Sequence, residues 1–156
     1  MYETSLKNFV LRVGLGYSQN KLNAFDRALV VAGISDYNII KVSSVLPPNC
    51  LRQNGIILSK GSLLPSAFAV TYSNTIGETI SAAVAVAIPF NKSDIGVIME
   101  HSSFSNKNRT ETMVRLMAEQ AMNDRKVAFS EIISTSVEYL VATSDIHCAF
   151  ATVSMW

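Results

Sequence analysis

The segment from Ile80 to Ile88 constrains the fold most strongly, because it is apolar on both faces of an extended strand. Successive side chains of a strand point to opposite sides, so the segment divides into two sets. One face carries Ile80, Ala82, Val84, Val86 and Ile88, and the other carries only small side chains, those of Ser81, Ala83, Ala85 and Ala87. We expect the first face to fill a core and the second to admit a closely packed neighbour, so the strand needs cover on both sides.

Seven strands and two helices are predicted along the chain. The strands cover residues 9–15, 38–43, 62–72, 80–88, 95–100, 131–140 and 147–156, and the helices cover residues 23–32 and 109–123. Asn23 is the expected N-cap of the first helix, and Gly33 is expected to end it. Because the sheets need cover on both sides, the pattern predicts an α+β fold, a four-layer α/β/β/α sandwich of two mixed sheets each covered by a helix. A chain of 156 residues fits a single domain, residues 1–156.

Each predicted helix has an apolar face that we expect to pack on a sheet. In the first helix this face carries Leu22, Phe25, Leu29 and Ala32. In the second helix it carries Met113, Leu116 and Met117, followed by Gln120 or Ala121.

Charge and hydropathy exclude two classes of partner. The formal net charge of +1 gives no broad field that would attract nucleic acid or an anionic membrane surface. The longest apolar stretch ends at Phe90 and is shorter than the roughly 20 residues that cross a bilayer.

The N-terminus shows no secretory signal pattern, so we expect a cytoplasmic protein. Hydrophobic residues make up 49% and charged residues 16%, and we expect part of this apolar surplus to lie in subunit contacts.

Common catalytic and metal-binding patterns are missing from the sequence. Cys50 and Cys148 are far apart and have no ligand spacing, so we expect two plain thiols and no metal. His101 and His147 do not form a metal pair. The stretch Gly14–Gly16 lacks the third glycine and the acidic residue of a dinucleotide site. No Gly-x-Ser-x-Gly elbow indicates a serine hydrolase.

A serine pair ends the predicted second strand, in the stretch "NIIKVSSVLPP". Ser43 and Ser44 follow the apolar residues, and Pro47 and Pro48 prevent the ladder from continuing. Serines often end strands by hydrogen bonding to the local backbone. Taken alone, the pair therefore does not indicate a functional site.

Five phrases together resemble the pyruvoyl-dependent arginine decarboxylases. They are "LNAFDRAL", "AGISDYNIIKVSSVLPP", "GETISAAVAVAIP", "GVIMEH" and "CAFATVSMW", and the resemblance that they carry runs from about Leu22 to Trp156, over most of the chain. The resemblance implies a proenzyme that cuts itself between Ser43 and Ser44 into chains 1–43 and 44–156. It also implies a sandwich fold assembled as trimers, alone or in pairs, with active sites between subunits.

The resemblance further implies a role for each site residue. Ser44 Oγ attacks the Ser43 carbonyl, and Ser44 becomes a pyruvoyl group that replaces pyridoxal phosphate as electron sink, so neither pyridoxal phosphate nor a metal is expected. Asn38 helps to polarise groups near the cut. Glu100 returns a proton to the substrate α-carbon after carbon dioxide leaves. Asp26 pairs with the guanidinium group of L-arginine.

The function implied is decarboxylation of L-arginine to agmatine, for polyamine biosynthesis or acid resistance. One alternative keeps the mechanism but uses another amino acid, for which a carboxylate at Asp26 would have no cationic partner. The other alternative is a non-catalytic trimeric binding protein in which Ser44 is never converted.

Overall fold

The computed structural model describes residues 6–156 as two sheets packed face to face, with a helix on each outer side. The elements are β1 (Asn8–Ser18), α1 (Lys21–Ala32), β2 (Asn38–Lys41), β3 (Val45–Leu46), β4 (Leu51–Arg52), β5 (Leu63–Ser73), β6 (Thr79–Pro89), β7 (Gly96–Ser103), α2 (Lys107–Asp124), β8 (Phe129–Leu140) and β9 (Ile146–Met155). In this described part of the chain, neither helix is long and apolar enough to cross a membrane.

One sheet is mixed and the other is antiparallel. The five-stranded sheet has the order β2-β5-β9-β1-β4, in which the outer pairs β2–β5 and β1–β4 are parallel. The four-stranded sheet has the order β3-β7-β6-β8, and each of its pairs is antiparallel. The predicted α+β four-layer sandwich is confirmed, with the difference that the four-stranded sheet is not mixed.

The two faces of β6 have the predicted kinds of neighbour. Between the sheets, Ala82, Val84 and Val86 are buried in one cluster with Ala151 and Val153 of β9. The small side chains on the other face pack against α2, and the residues in contact there include Ala83, Ala85, Ala87, Val114 and Ala118. Alanine on this face lets the helix lie close to the sheet.

Glycines on β1 give α1 a similarly close approach to the five-stranded sheet. A Cβ atom on Gly14 would lie 1.9 Å from the Ala28 carbonyl oxygen, and one on Gly16 would lie 2.3 Å from the Ala24 carbonyl oxygen. Both distances are far below van der Waals contact, so any larger residue would displace the helix. The two glycines therefore serve helix packing.

The start of α1 differs from the prediction. The Asn20 side chain accepts a hydrogen bond from the Asn23 backbone N–H at 2.9 Å, so Asn20 and not Asn23 is the N-cap. Gly33 ends the helix as predicted, in the left-handed conformation with φ of 73°. The predicted apolar face is wrong at Leu22, which is 76% exposed.

The buried face of α2 also differs from the predicted one. The buried residues are Thr110, Val114, Ala118, Ala121 and Met122. Met113 and Leu116, which were expected to pack on the sheet, are exposed. Val114 and Ala118 of the buried face pack on the alanines of β6, and Met113 and Leu116 remain on the outer surface.

Replacing Gly14 with alanine should destabilise the fold, because the new methyl group would meet the α1 backbone. We expect the free energy of unfolding to fall by about 1–3 kcal/mol, the usual cost of overpacking. Urea unfolding followed by circular dichroism measures this loss, in a Ser44→Ala background that keeps the chain in one piece.

Gly55→Ala is the matched control, because a Cβ atom there meets nothing within 4 Å. We expect it to change the free energy of unfolding by about 0.5 kcal/mol or less. Equal effects of the two substitutions would contradict the packing role of Gly14.

Candidate active site

The serine pair lies where the chain crosses from one sheet to the other. β2 ends at Lys41, and the next residue, Val42, donates its N–H to the Ser66 carbonyl of the five-stranded sheet at 3.1 Å. The Ser44 carbonyl already accepts a hydrogen bond from the Ile98 N–H of β7 at 2.8 Å, and β3 continues in the four-stranded sheet. The crossing is therefore confined to the residues between these two hydrogen bonds.

Both serines lie outside the strands, whereas the second strand was predicted to extend over residues 38–43. The strand is shorter because the chain turns toward the other sheet. Ser43 is exposed and Ser44 is half-buried. The peptide group between them has a Ser43 carbonyl and a Ser44 N–H, and neither is hydrogen-bonded to any residue of 6–156. No ladder among the described strands therefore holds this peptide bond.

Glu100 lies in the middle of β7 and faces the space between the sheets. The strand continues to Ser103, whereas it was predicted to end at residue 100. Glu100 is paired with Val84 of β6, and Ile98, on the same face, belongs to the core between the sheets. Ser102, also on this face, donates to a backbone carbonyl of β5. Because Ile98 bonds to the crossing, Glu100 lies two residues along β7 from it.

The two oxygens of the Glu100 carboxyl group have different surroundings. Oε1 lies 3.7 Å from Lys41 Nζ. Oε2 is buried and has no hydrogen-bond partner among the described residues. Burial raises the pKa of Glu100, and the Lys41 ammonium partly opposes this rise. A carboxyl group with a raised pKa keeps its proton at a higher pH than a surface glutamate, as a proton donor requires.

Lys41 is the residue of this region that sequence reasoning missed. Its Nζ donates to the Phe68 carbonyl oxygen at 2.7 Å and lies 4.2 Å from the centre of the Phe68 ring. The available signal was a single cation inside an otherwise apolar run, separated from the serine pair by Val42. A basic residue at a strand end is common on protein surfaces, so the sequence alone did not distinguish it.

Asn38 lies at the opposite end of β2 from the serine pair. Its side-chain Nδ2 donates to the Gly61 carbonyl at 2.7 Å, and its backbone N–H donates to the Ser62 carbonyl at 2.9 Å. These bonds fasten the start of β2 to the segment before β5. Within one chain, the structure does not bring Asn38 next to the serines.

Asp26 is exposed on α1 and forms no ion pair with a described residue. Its neighbour Arg27 is occupied elsewhere, because its Nη1 donates to the Tyr17 carbonyl at 2.6 Å. Phe25 packs on Phe68, with ring centroids 6.4 Å apart. Asp26 is therefore next to a residue that touches the Phe68 ring beside the crossing, but its own carboxylate faces solvent.

The cysteines and histidines show no comparable arrangement. Burial raises the pKa of Cys50 to about 11 and that of Cys148 to about 12, so both thiols are protonated near neutral pH. The His147 ring is stacked on Tyr17, with centroids 5.6 Å apart. Over residues 6–156, no group of three or more His, Cys, Asp or Glu side chains is placed to hold a metal ion.

Comparison with known proteins places the chain in a family. The family model described as pyruvoyl-dependent arginine decarboxylase matches residues 8–154. The chain belongs to the pyruvoyl-dependent arginine decarboxylase family.

Several members of this family are similar over most of their length. A pyruvoyl-dependent arginine decarboxylase from Methanococcus aeolicus is 44% identical over 146 residues, which are 94% of this chain and 87% of the relative. The protein of that name from Methanocaldococcus jannaschii is 40% identical over 146 residues, again 94% and 87% of the two chains. The one from Pyrococcus abyssi is 35% identical over 140 residues, or 88% of each chain.

Two features, one in the crossing and one at Glu100, fit the pyruvoyl group in the name of this family. The peptide bond before Ser44 is outside any ladder of the described residues, so its carbonyl is open to a neighbouring hydroxyl. Oε2 of Glu100 is a buried polar atom with no hydrogen-bond partner in residues 6–156, and such atoms in native proteins normally have one. A reacting group beside Oε2 would provide the missing hydrogen-bond partner.

Glu100→Gln should remove a pH-dependent loss of stability. Because burial raises the pKa of Glu100, the folded chain binds this proton more tightly than the unfolded chain. Glu100 therefore leaves the free energy of unfolding unchanged below the ordinary carboxyl pKa. It lowers that free energy increasingly as the pH rises from the ordinary pKa through the raised pKa of Glu100. We expect the free energy of unfolding of Glu100→Gln, minus that of its parent, to increase over this pH range. Urea unfolding of both chains in the Ser44→Ala background measures it.

Glu119→Gln serves as the control, because Glu119 is exposed on the surface of α2. Its difference from the parent should be small at every pH. A difference for Glu100→Gln that stays flat with pH would show that the Glu100 pKa is not raised.

Proposed function

We propose that this chain is a self-processing decarboxylase that converts L-arginine to agmatine and carbon dioxide. The observation that carries the proposal is the half-buried carboxyl group of Glu100, which has a raised pKa and a buried Oε2. It lies two residues along β7 from the sheet crossing, where the Ser43–Ser44 peptide is not hydrogen-bonded to any residue of 6–156. Family membership supports it, since the relatives are named pyruvoyl-dependent arginine decarboxylases.

The first proposed step is a cut between Ser43 and Ser44, which divides the single domain into chains 1–43 and 44–156. Ser44 Oγ attacks the Ser43 carbonyl carbon, the hydroxyl proton passes to the Ser44 nitrogen, and the amide becomes an ester. Loss of the Ser44 α-proton then expels the Ser43 carboxylate and leaves dehydroalanine. Addition of water and loss of ammonia turn this residue into a pyruvoyl group. The unpaired peptide supports this step, because no ladder hydrogen bond has to break first.

Glu100 is the proposed proton donor of the decarboxylation itself. The pyruvoyl group supplies an electron-accepting carbonyl for the loss of carbon dioxide from an amino acid. The substrate α-carbon then needs a proton, and Oε2 is the Glu100 oxygen that is free to provide it. Burial beside Val84 and Ile98 favours the protonated form that this role requires.

Asp26 is the proposed partner of the arginine guanidinium group. A carboxylate matches the two parallel N–H donors of guanidinium, and Asp26 has no cation of its own among the described residues. Asn38 is proposed to polarise groups near the cut. Both residues lie away from the serine pair within one chain, so we propose that they act where a second subunit completes the site.

We propose that processed protomers form a trimer with active sites between subunits. The crossing joins β2 and β3, each of which lies at an edge of its sheet. Ile40 and Val45 flank the serine pair and are 42% and 41% exposed. Met113 and Leu116 add apolar surface on α2. Exposed apolar residues next to open sheet edges are typical of surfaces that another subunit covers.

We also propose that the protein works in the cytoplasm. Cys50 and Cys148 are both free thiols. Thiols persist in reducing compartments, whereas proteins of oxidising compartments more often pair their cysteines.

Ser44→Ala should abolish the cut, because it removes the attacking hydroxyl. Denaturing electrophoresis is expected to show two fragments for the parent and one 17.0 kDa chain for Ser44→Ala, which should not decarboxylate arginine. Ser43→Ala is the matched control, since Ser43 contributes its carbonyl and not its hydroxyl; it should still be cut. A parent that stays in one piece, or a Ser44→Ala chain that is cut, would contradict the proposal.

Mixed trimers should show whether one site uses residues of two chains. We expect Asp26→Ala to lower kcat/KM for arginine about tenfold to a hundredfold, since a hydrogen bond to a charged group contributes roughly 1.5–3 kcal/mol. Glu100→Gln should lower kcat roughly a hundredfold or more. Co-expressed chains that carry one substitution each, purified through two different tags, should regain activity at sites that combine an intact Asp26 with an intact Glu100.

The control for this experiment is a mixture of two differently tagged Glu100→Gln chains, which should regain nothing. Verified mixed trimers that remain as inactive as the single variants would contradict an active site shared between subunits.

A further inference from the structure

We propose that Lys41 is a positioning residue for Glu100, which holds Oε1 so that Oε2 carries the transferable proton. This inference rests on the proposed function, in which Glu100 is the proton donor. Lys41 acts on the reaction through Glu100, and we assign it no contact with the reacting atoms.

Three contacts hold the Lys41 ammonium group in place although its side chain is 55% exposed. Beyond Val42 the chain no longer pairs with β5. The next carbonyl of β5 on this side, that of Phe68, therefore has no backbone partner from β2. Lys41 Nζ bonds to this carbonyl at 2.7 Å and lies 4.2 Å from the Phe68 ring centre. The third contact is Oε1 of Glu100 at 3.7 Å. The sheet crossing therefore provides the place for the ammonium group.

Within the four-stranded sheet, the neighbours of Glu100 on its face of β7 and on β6 have uncharged side chains. Ile98 and Ser102 share its face of β7, and Val84 is its partner on β6. His101 lies on the opposite face of β7. Among residues 6–156, the ion pair of Glu100 is the one with Lys41.

The distance between the two charged groups matters for the proton. At 3.7 Å, Lys41 attracts Oε1 but is too far away for a good hydrogen bond. The carboxyl group is therefore oriented without being fixed in its ionised form. With Oε1 turned to the cation, a proton is retained better on Oε2, which has no partner among the described residues.

A carboxyl titration tests the contact without relying on activity. Carbon-13 NMR of labelled glutamate follows Glu100 in the full-length Ser44→Ala chain, with Glu100→Gln to assign its signal. In Lys41→Met the pKa of Glu100 should move upward, because the opposing cation is gone. In Lys41→Arg it should stay near that of the parent, because the charge remains. Lys41→Gln is a second neutral variant that retains a donor for the Phe68 carbonyl.

Lys60→Met is the matched control. Lys60 also pairs with a carboxylate, that of Asp36 at 2.7 Å, but on the exposed surface away from Glu100. Removing this cation should leave the Glu100 titration unchanged.

Kinetics of the processed enzyme separate positioning from a purely structural role. In Lys41→Met we expect kcat to fall about tenfold, a part of what a general acid contributes, with KM for arginine changed roughly twofold at most. The alkaline limb of the kcat profile should move to higher pH, in step with the Glu100 titration. Lys41→Arg should restore both the rate and the profile.

Two results would overturn the inference about Lys41. One is a Glu100 titration that is unchanged in both neutral variants, and the other is an equal shift in Lys60→Met. The failure of the proposed function would look different: the pKa of Glu100 would shift in the neutral Lys41 variants, but the processed parent would not decarboxylate arginine. That result would support the coupling of Lys41 to Glu100 and overturn the proposed function.

Discussion

The site depends on a short crossing, because between Val42 and Ser44 the chain leaves the edge of one sheet and joins the edge of the other. A backbone that changes sheets cannot keep its ladder hydrogen bonds at the point of change. The Ser43–Ser44 peptide is therefore unpaired among the described residues. The Phe68 carbonyl of β5, which β2 no longer covers, is available to Lys41. The serines, the cation and Glu100 are brought together by this one change of partner.

Close packing elsewhere in the molecule sets the environment of Glu100. Alanines on one face of β6 and glycines on β1 bring each helix close to its sheet, and a cluster of apolar residues that includes Val84, Ile98 and Val153 fills the space between the sheets. Glu100 projects into that space beside Val84 and Ile98. Water solvates a carboxylate poorly there, and this desolvation raises the pKa of Glu100. The proposed proton donor is thus a consequence of how the sandwich is filled.

The alternation of side chains in Ile80–Ile88 was enough to predict a strand that is covered on both faces, and hence the layers of the sandwich. One face of this strand meets the other sheet, and the opposite face meets a helix. Helical periodicity was less informative. Met113 and Leu116 fit the expected apolar face, but a different side of α2, which includes Val114 and Ala118, packs on the alanines of β6. A sequence does not distinguish apolar residues that face a core from those that are left for another subunit.

The site was predicted from resemblance to a family and not from spacing, because Ser44 and Glu100 are far apart in sequence. Their proximity arises from the pairing of the crossing with β7, which no local pattern encodes. The strand containing Glu100 was expected to end there, and the structure continues it to Ser103, which makes the residue more buried than a strand-end carboxylate. Lys41 was overlooked because its importance lies in the Phe68 and Glu100 contacts, which only the three-dimensional arrangement shows.

The intact mass of the fragment that begins at residue 44 tests the central claim most directly. Conversion of Ser44 replaces an amino terminus with a ketone, so the account predicts a fragment 44–156 that is lighter by one ammonia than the same fragment headed by serine. That fragment should also be blocked to Edman degradation. An uncut chain of 156 residues, or a fragment whose mass retains the serine, would contradict it.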